Sequence, residues 1–343
     1  MQEAVLITNP AAVATSQHVK EVIVKALSAD LHVEVVDTAG PGHATEVASQ
    51  AVRSGVDLVV AFGGDGTMNE VANGMVGSDT SLGILPGGNA NVVCRNLGLP
   101  ADIVEATGRL LNGLRGNRIR RISVGRTEGR CFLVSCGLGL RPPAASETAR
   151  EVRHDAASEA TYGAASETAN EAAGQRPNED AADPPGPNAV AEHRRGPRFP
   201  GRHLLESAFR AAIRDRSGRD ARIRLSAGDV TEAVVVALIT NTSQLSYVGD
   251  WPVTLAPEAR LEEGLDLLAM RHFPLSYVPR LAWSALWGGS HVHYKQVLYL
   301  HDLGRVRATS DGRPFSVHLD GEFLDDRTEV EIELIRDGLA VLV

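Results

Sequence analysis

Apolar positions along this chain change their period partway, and the change divides it. Up to about Leu114, short unbroken apolar runs alternate with helical spacings. Ala4–Thr8, Leu31–Asp37, Leu58–Phe62 and Leu82–Leu85 carry almost no polar alternation, the pattern of strands covered on both faces. Between the first two, Val19, Val22, Ile23, Ala26 and Leu27 recur at helical spacing. Further helices are predicted from His43 to about Arg53, from Met68 to Val76, from Val92 to Leu97 and from Ala101 to Leu114. Such βαβαβ alternation implies right-handed crossovers and a doubly wound sheet.

From Ile119 the texture is different. Arg118–Val124 and Cys131–Ser135 read as a hairpin around Glu128-Gly129-Arg130. Short strands follow at Ala221–Ser226, Ala233–Thr240, Leu265–Met270, Gln296–Leu300, Gly304–Thr309, Phe315–Leu319, Val330–Leu334 and Leu339–Val343. So many short strands with few helices between them predict an antiparallel sandwich or barrel. The expected division is an α/β domain over residues 1–122 and a β domain over 123–343. Residues 141–200 fit neither. AASETA begins at Ala144 and again at Ala164, AASEAT at Ala156, and a Pro/Gly/Asn/Asp tract follows. A stretch so poor in large apolar residues cannot offset its ordering entropy, so a disordered insertion is expected.

Composition narrows the function. The 343 residues are 43% hydrophobic and carry a net charge of −9, which argues against nucleic acid as the main partner. Cys94, Cys131 and Cys136 form no CxxC pair and fit a reducing compartment. No apolar run approaches a membrane span, and the first ten residues lack the pattern of a signal peptide. A soluble cytoplasmic protein is expected, with peripheral contact at the inner membrane face and self-association left open.

Chemistry concentrates where the strand Leu58–Phe62 breaks at Gly63-Gly64-Asp65-Gly66-Thr67. A strand, a glycine turn and a helix start aim several main-chain N–H groups at one spot, which favours phosphate. Thr67 is a good N-cap type for the helix from Met68. Asp65 makes sense beside phosphates if a divalent cation lies between them. A second loop, Pro86-Gly87-Gly88-Asn89-Ala90-Asn91, follows the next strand, and both belong at the carboxyl edge of one sheet. These features read as a nucleoside-triphosphate site.

Asn9-Pro10, GGDGTMNE at Gly63–Glu70, Leu85-Pro86-Gly87-Gly88 with Asn91, Arg95-Asn96-Leu97-Gly98, and Asp320-Gly321-Glu322 together resemble the diacylglycerol kinase catalytic-domain family, which includes bacterial lipid kinases and sphingosine kinases. The resemblance implies an N-terminal α/β domain related to NAD kinase and phosphofructokinase and a C-terminal β-sandwich. ATP would lie in the cleft between them, and a lipid hydroxyl, diacylglycerol-like or sphingoid-like, would accept the γ-phosphoryl group. By the same resemblance Gly63, Gly64, Asp65, Gly66, Thr67 and Asn69 would cradle the phosphates. Asn9, Thr38, Gly88, Asn89 and Asn91 would line the rest of the pocket. Asp65 would hold or orient Mg²⁺, and Asp320 and Glu322 would meet the acceptor. As residues i and i+2 of an extended segment, those two acids would face the same way.

This chain departs from the family at Val92, where a carboxylate is usual, and at Arg141, where aspartate is usual. The structural Mg²⁺ site of bacterial members corresponds to Glu263-Gly264-Leu265, with Glu in place of Asp. Two alternatives stay open: a small-molecule kinase acting on an acceptor such as NAD, and a catalytically silent lipid- or nucleotide-binding relative. Trp283 and Trp287, at i and i+4 on a predicted apolar helix, would suit a lipid-facing surface, although a helix packed on the sandwich is the favoured reading. His291 and His293 have no evident third metal ligand and are read as a strand start. The triplet Arg118, Arg120 and Arg121 is read as a solvated strand edge, and His43 as a surface residue near a helix start.

Overall fold

A computed structural model describes residues 2–12, 17–140, 223–248, 251–272 and 278–343. The predicted insertion at 141–200, Arg141 within it, and residues 273–277 before the tryptophan helix lie outside the described residues.

The first half runs β1 (Gln2–Thr8), α1 (Gln17–Leu27), β2 (Leu31–Asp37), α2 (His43–Ser54), β3 (Leu58–Gly63), α3 (Asp65–Met75), β4 (Ser81–Pro86), α4 (Val92–Asn96) and α5 (Ile103–Arg115). Strands β2, β1, β3 and β4 pair in that order, all parallel. Every residue of β3 is buried, which explains why its sequence shows no alternation. Val59 and Ala61 pack with α2 and α3 on one face, while Leu58, Val60 and Phe62 pack with α1 and α5 on the other.

The second half contains β5 (Ile119–Thr127), β6 (Arg130–Phe132), β7 (Ser135–Leu138), β8 (Ile223–Ala227), β9 (Val230–Val234), β10 (Val236–Thr240), β11 (Gln244–Val248), β12 (Trp251–Thr254) and β13 (Leu265–Met270). After these come α6 (Val278–Leu286), a 3₁₀ turn (Ser290–His293), β14 (Val297–Leu303), β15 (Arg305–Ser310), β16 (Phe315–Leu319), β17 (Glu322–Arg327) and β18 (Glu329–Leu342). The expected α/β-plus-β architecture is present. One layer of the sandwich is the six-stranded antiparallel sheet β14-β13-β10-β7-β16-β17. Its inner residues Ile239, Leu267 and Val317 meet Leu225, Val306 and Ile332 of β8, β15 and β18.

Several element boundaries differ from expectation. The apolar run Ala233–Thr240 is two strands: Val234 pairs with Ile223 in one sheet, and Val236 pairs with Met270 in the other. No turn residue marks the crossing, because Val234, Val235 and Val236 are all buried. The last two predicted strands are one, β18, broken only by an irregularity between Ile335 and Leu339, where Asp337 adopts φ 52°. Before it, β18 pairs with β15; beyond it, Ala340 and Val341 pair in parallel with Ser81 and Leu82 of β4. The C-terminal strand therefore belongs to both halves. The β5–β6 turn has positive φ at both Glu128 (49°) and Gly129 (76°), the geometry that suits a two-residue hairpin.

Candidate nucleotide and acceptor cleft

Strand register sets the site. Thr8 stands opposite both Asp37 and Phe62, and Gly63 opposite Pro86, so Asn9, Thr38, Gly64 and Gly87 leave the sheet side by side. The Thr38 amide donates to the Thr8 carbonyl (2.8 Å), and Asn9 Nδ2 donates to Thr67 Oγ1 (3.2 Å), tying the Asn-Pro turn to α3. Lys20, which the sequence reading did not single out, reaches this edge from α1 and pairs with Asp37 (2.8 Å). That bond and one from the Thr8 hydroxyl hold the Asp37 carboxyl below its ordinary range. His43 accepts the Ala39 amide through Nδ1 (3.0 Å) at the start of α2, as a residue capping a turn would.

Helix α3 begins at Asp65, with Gly64 rather than Thr67 at the N-cap position. Thr67 lies inside the first turn, and its side chain fills the space a Cβ on Gly63 would need, 2.6 Å from Oγ1. The first main-chain bond across this turn runs from Met68 N to Gly64 O (3.1 Å), so the amides of Gly66 and Thr67 precede the helical ladder. A Cβ on Gly66 would meet nothing within 4 Å. Gly87 and Gly88 serve another purpose. Their Cβ atoms would fall 2.9 Å from Gly63 Cα and 2.7 Å from Gly64 Cα, so the two glycine loops stack backbone on backbone. A hydrogen bond from Gly87 N to Gly63 O (2.7 Å) joins them.

The two helix starts are not alike. That of α4 is filled by Asp65, whose Oδ1 accepts the Val93 amide (3.1 Å). Burial pushes the Asp65 carboxyl above its ordinary value, opposed by the amides of Val93, Val92, Asp65 itself and Asn91. Asp65 thus clamps one glycine loop to the helix that follows the other. Asn91, at φ 46°, is turned onto its own loop: Oδ1 accepts from Gly88 N (2.9 Å) and Nδ2 donates to Gly88 O (2.8 Å). Its side chain braces the pocket wall rather than facing a ligand, which leaves the exposed Asn89 as the outward amide of this loop.

One of the two late acids, Asp320, reaches the first glycine helix. Asp320 Oδ2 accepts from Asn69 Nδ2 (2.7 Å) and Leu133 N (2.9 Å); Oδ1 accepts from Val134 N (2.8 Å) and Ser135 N (2.9 Å). Burial pushes the Asp320 carboxyl up and these four donors pull it down. Because Leu133 and Val134 turn their amides to this carboxylate, the predicted strand Cys131–Ser135 is divided between β6 and β7.

The expected common orientation of Asp320 and Glu322 is not observed. Asp320 and Gly321 have φ 47° and 86°, so the segment is a tight β16–β17 turn instead of an extended run. Asp320 points inward and Glu322 is exposed. Asn69 likewise leaves the phosphate wall. It is buried, it donates to Cys131 O (3.0 Å) as well as Asp320, and its Oδ1 accepts from Asn73 (3.0 Å). Asn73 went unnoticed in the sequence. It exchanges two hydrogen bonds with Cys131, donating to the carbonyl (3.0 Å) and accepting from the amide (2.8 Å), and its i+4 spacing from Asn69 was the available signal.

Glu263 and Leu265 do not join this cleft. Glu263 pairs with His301 (3.4 Å), and the Leu265 side chain is buried in the sandwich. No cluster of three acids, histidines or cysteines suited to a metal occurs among the described residues. His291, in the 3₁₀ turn rather than a strand, is buried between Ser284 Oγ (3.1 Å) and the Leu255 carbonyl (2.9 Å). The tryptophan helix α6 does pack on the sandwich, through Ser284, Ala285 and Leu281, but Trp283 and Trp287 are exposed and are not the residues that make that contact. Arg121 pairs with Asp79 (2.5 Å) and Arg120 with Glu262, as befits a solvated edge.

A parallel sheet with two stacked glycine loops, met by an acidic turn from an antiparallel sandwich, makes an α/β-plus-β protein. Residues 3–127 match the family described as diacylglycerol kinase catalytic domain, so the resemblance drawn from the motifs holds over the α/β half. A diacylglycerol kinase of Bacillus subtilis is 35% identical over 144 residues, 40% of this chain and 46% of that protein. One from Staphylococcus saprophyticus is 31% identical over 135 residues, 39% of this chain and 43% of that protein. The matched stretch spans less than half the length of these relatives. The crystal structure of a diacylglycerol kinase from Bacillus anthracis has the same fold, with a TM-score of 0.64 over 99% of this chain and 96% of that one at 18% identity.

Proposed function

We propose that the chain is an ATP-dependent lipid kinase acting on a hydroxyl of a diacylglycerol-like or sphingoid-like lipid. The observation that carries this reading is the bond between Asn69 and Asp320, which brings the late acidic turn to the helix that opens at the glycine notch. The residues present fit a nucleotide: Gly66 borders open space, and the amides of Gly66 and Thr67 stand outside the helical ladder. They fit Mg²⁺ through Asp65 alone, in keeping with an ion held by one or two carboxylates and the nucleotide's own phosphates. When bound, ATP with Mg²⁺ supplies the transferable phosphoryl group and neutralises its charge. The chain's part is positioning, since phosphoryl transfer asks little covalent chemistry of the protein. The α3 amides orient the phosphates, and Asp65 orients the metal. Glu322 takes the proton of the acceptor hydroxyl; Asp320, claimed by four donors, holds the turn from which Glu322 projects.

Labelled ATP offered with diacylglycerol, a sphingoid base and NAD tests this directly. Phosphorylation of a lipid, reduced on the order of 100-fold or more in Glu322→Gln and in Asp65→Asn, is the expected outcome. Label on NAD alone, or ATP binding with no turnover of any acceptor, overturns the reading.

A further inference from the structure

The chain holds three tryptophans, and all three stand together on its surface. Trp283 of α6 and Trp287, in the turn just after it, stack at 4.2 Å, and Trp251, from β12, meets Trp287 at 5.5 Å. They are 64%, 51% and 57% exposed, whereas the remaining exposed large apolar residues, such as Val22 and Val104, lie on other elements. Helix α6 spends its other side on packing: Ala285 and Leu281 lie against Leu238, Leu268 and Val297 on the outer face of the six-stranded sheet. The tryptophans are left over from that contact.

We infer that this patch is a docking surface for an anionic lipid bilayer. Three features point there. The indole ring is an interfacial group, apolar in body with one polar N–H, and collects at the headgroup level of membranes. The charge of this stretch suits an anionic surface: from Leu267 to His301 there is no Asp or Glu, in a chain of net charge −9. Arg280 and Lys295, exposed on either side of the 3₁₀ turn, are basic. The patch is also connected to the cleft. Gln244, at the opposite end of the β11–β12 hairpin from Trp251, accepts from Asn96 of α4 through its carbonyl (2.9 Å), and Tyr247 lies under Arg95 at 4.5 Å. A bilayer seated on the tryptophans would therefore rest on one end of the hairpin whose other end is bonded to α4. This deepens the lipid-acceptor reading and rests on it for the purpose of docking, but the docking itself is measurable without ATP.

Because no other tryptophan exists, intrinsic fluorescence reports this patch alone. The full chain is titrated with vesicles of phosphatidylcholine containing phosphatidylglycerol, and with phosphatidylcholine alone. A blue shift with the anionic vesicles and quenching by lipids brominated near the headgroup are expected. The Trp283→Ser, Trp287→Ser double variant should sediment with those vesicles on the order of tenfold more weakly at an unchanged melting temperature. Arg280→Glu with Lys295→Glu, which keeps the indoles, should abolish the preference for anionic vesicles. Absence of vesicle binding, or full binding by the tryptophan variant, overturns the inference. So does a wild-type dimer in sedimentation velocity that the tryptophan substitutions dissolve, since the face would then belong to a second copy. A chain that binds vesicles yet phosphorylates nothing overturns the kinase reading and leaves the docking surface standing.

Discussion

The glycine edge and the Asp320 turn each bring one aspartate to the cleft, and both residues are half-buried, yet their carboxylates are used differently. Asp65 lies in the opening turn of α3, next to Gly66 and its open space; its Oδ1 accepts the Val93 amide, and the amides of Val92, Asp65 itself and Asn91 also act on its carboxyl. Asp320 has two donors on each oxygen, three of them successive main-chain amides. Equal exposure therefore does not imply equal chemistry. A carboxylate is available in proportion to the lone pairs its neighbours have not already taken. By that measure Asp320 is a fastener, and Glu322, exposed on the same turn, is the acid to which the proposed function gives the proton transfer.

Four experiments probe this contrast, from the largest effect downward. Asp320→Ala strands three main-chain amides and the Asn69 side chain, and should cost about 2–4 kcal/mol in denaturant unfolding. Glu322→Ala should leave the midpoint within about 0.5 kcal/mol. Equal midpoints for the two variants would erase the distinction. At the glycine edge, Gly88→Ala puts a methyl 2.7 Å from Gly64 Cα and must part the stacked loops, at about 1–3 kcal/mol. Gly66→Ala meets no atom, so its melting temperature should equal or slightly exceed wild type, with better helix propensity worth up to about 1 kcal/mol. ATP affinity, read by calorimetry, should nevertheless fall. If Gly66→Ala binds ATP normally, the open space above it is not where phosphates sit.

The smallest effect concerns His291, a group enclosed without any ionic partner. Burial holds its pKa below the ordinary 6.5. Below that pH the unfolded chain takes up a proton that the folded chain refuses. Stability should therefore decline as pH falls from 6.5 through the lowered folded value. Unfolding midpoints across that window should flatten in His291→Asn; an unchanged slope would show that other groups govern it.

Much of the parallel half was legible because its signals are local. Leu58–Phe62 ends on the glycines that turn it, and each loop follows its own strand within a few residues. The sandwich was harder to read where structure depends on distant partners. Asn69 and Asp320 are 251 residues apart, and no spacing announces their bond. Leu133 and Val134 carry strand-type side chains, but their amides are drawn off by a carboxylate from the far end of the chain. Likewise Val234–Val236 changes sheets with no glycine or proline to flag it. The tryptophans misled for a related reason. Their i, i+4 spacing identified a helix stripe, yet whether a stripe faces protein or solvent depends on what lies opposite.

Strand β18 has a consequence for biogenesis. Its final residues flank β4, so one side of the parallel sheet stays unpaired until Ala340 and Val341 arrive beside Ser81 and Leu82, far later in the chain. The parallel sheet is thus incomplete until β18 has been made, and until then the margin of β4 is an open strand edge. Chaperone protection during synthesis would matter more for this protein than its local βα order suggests.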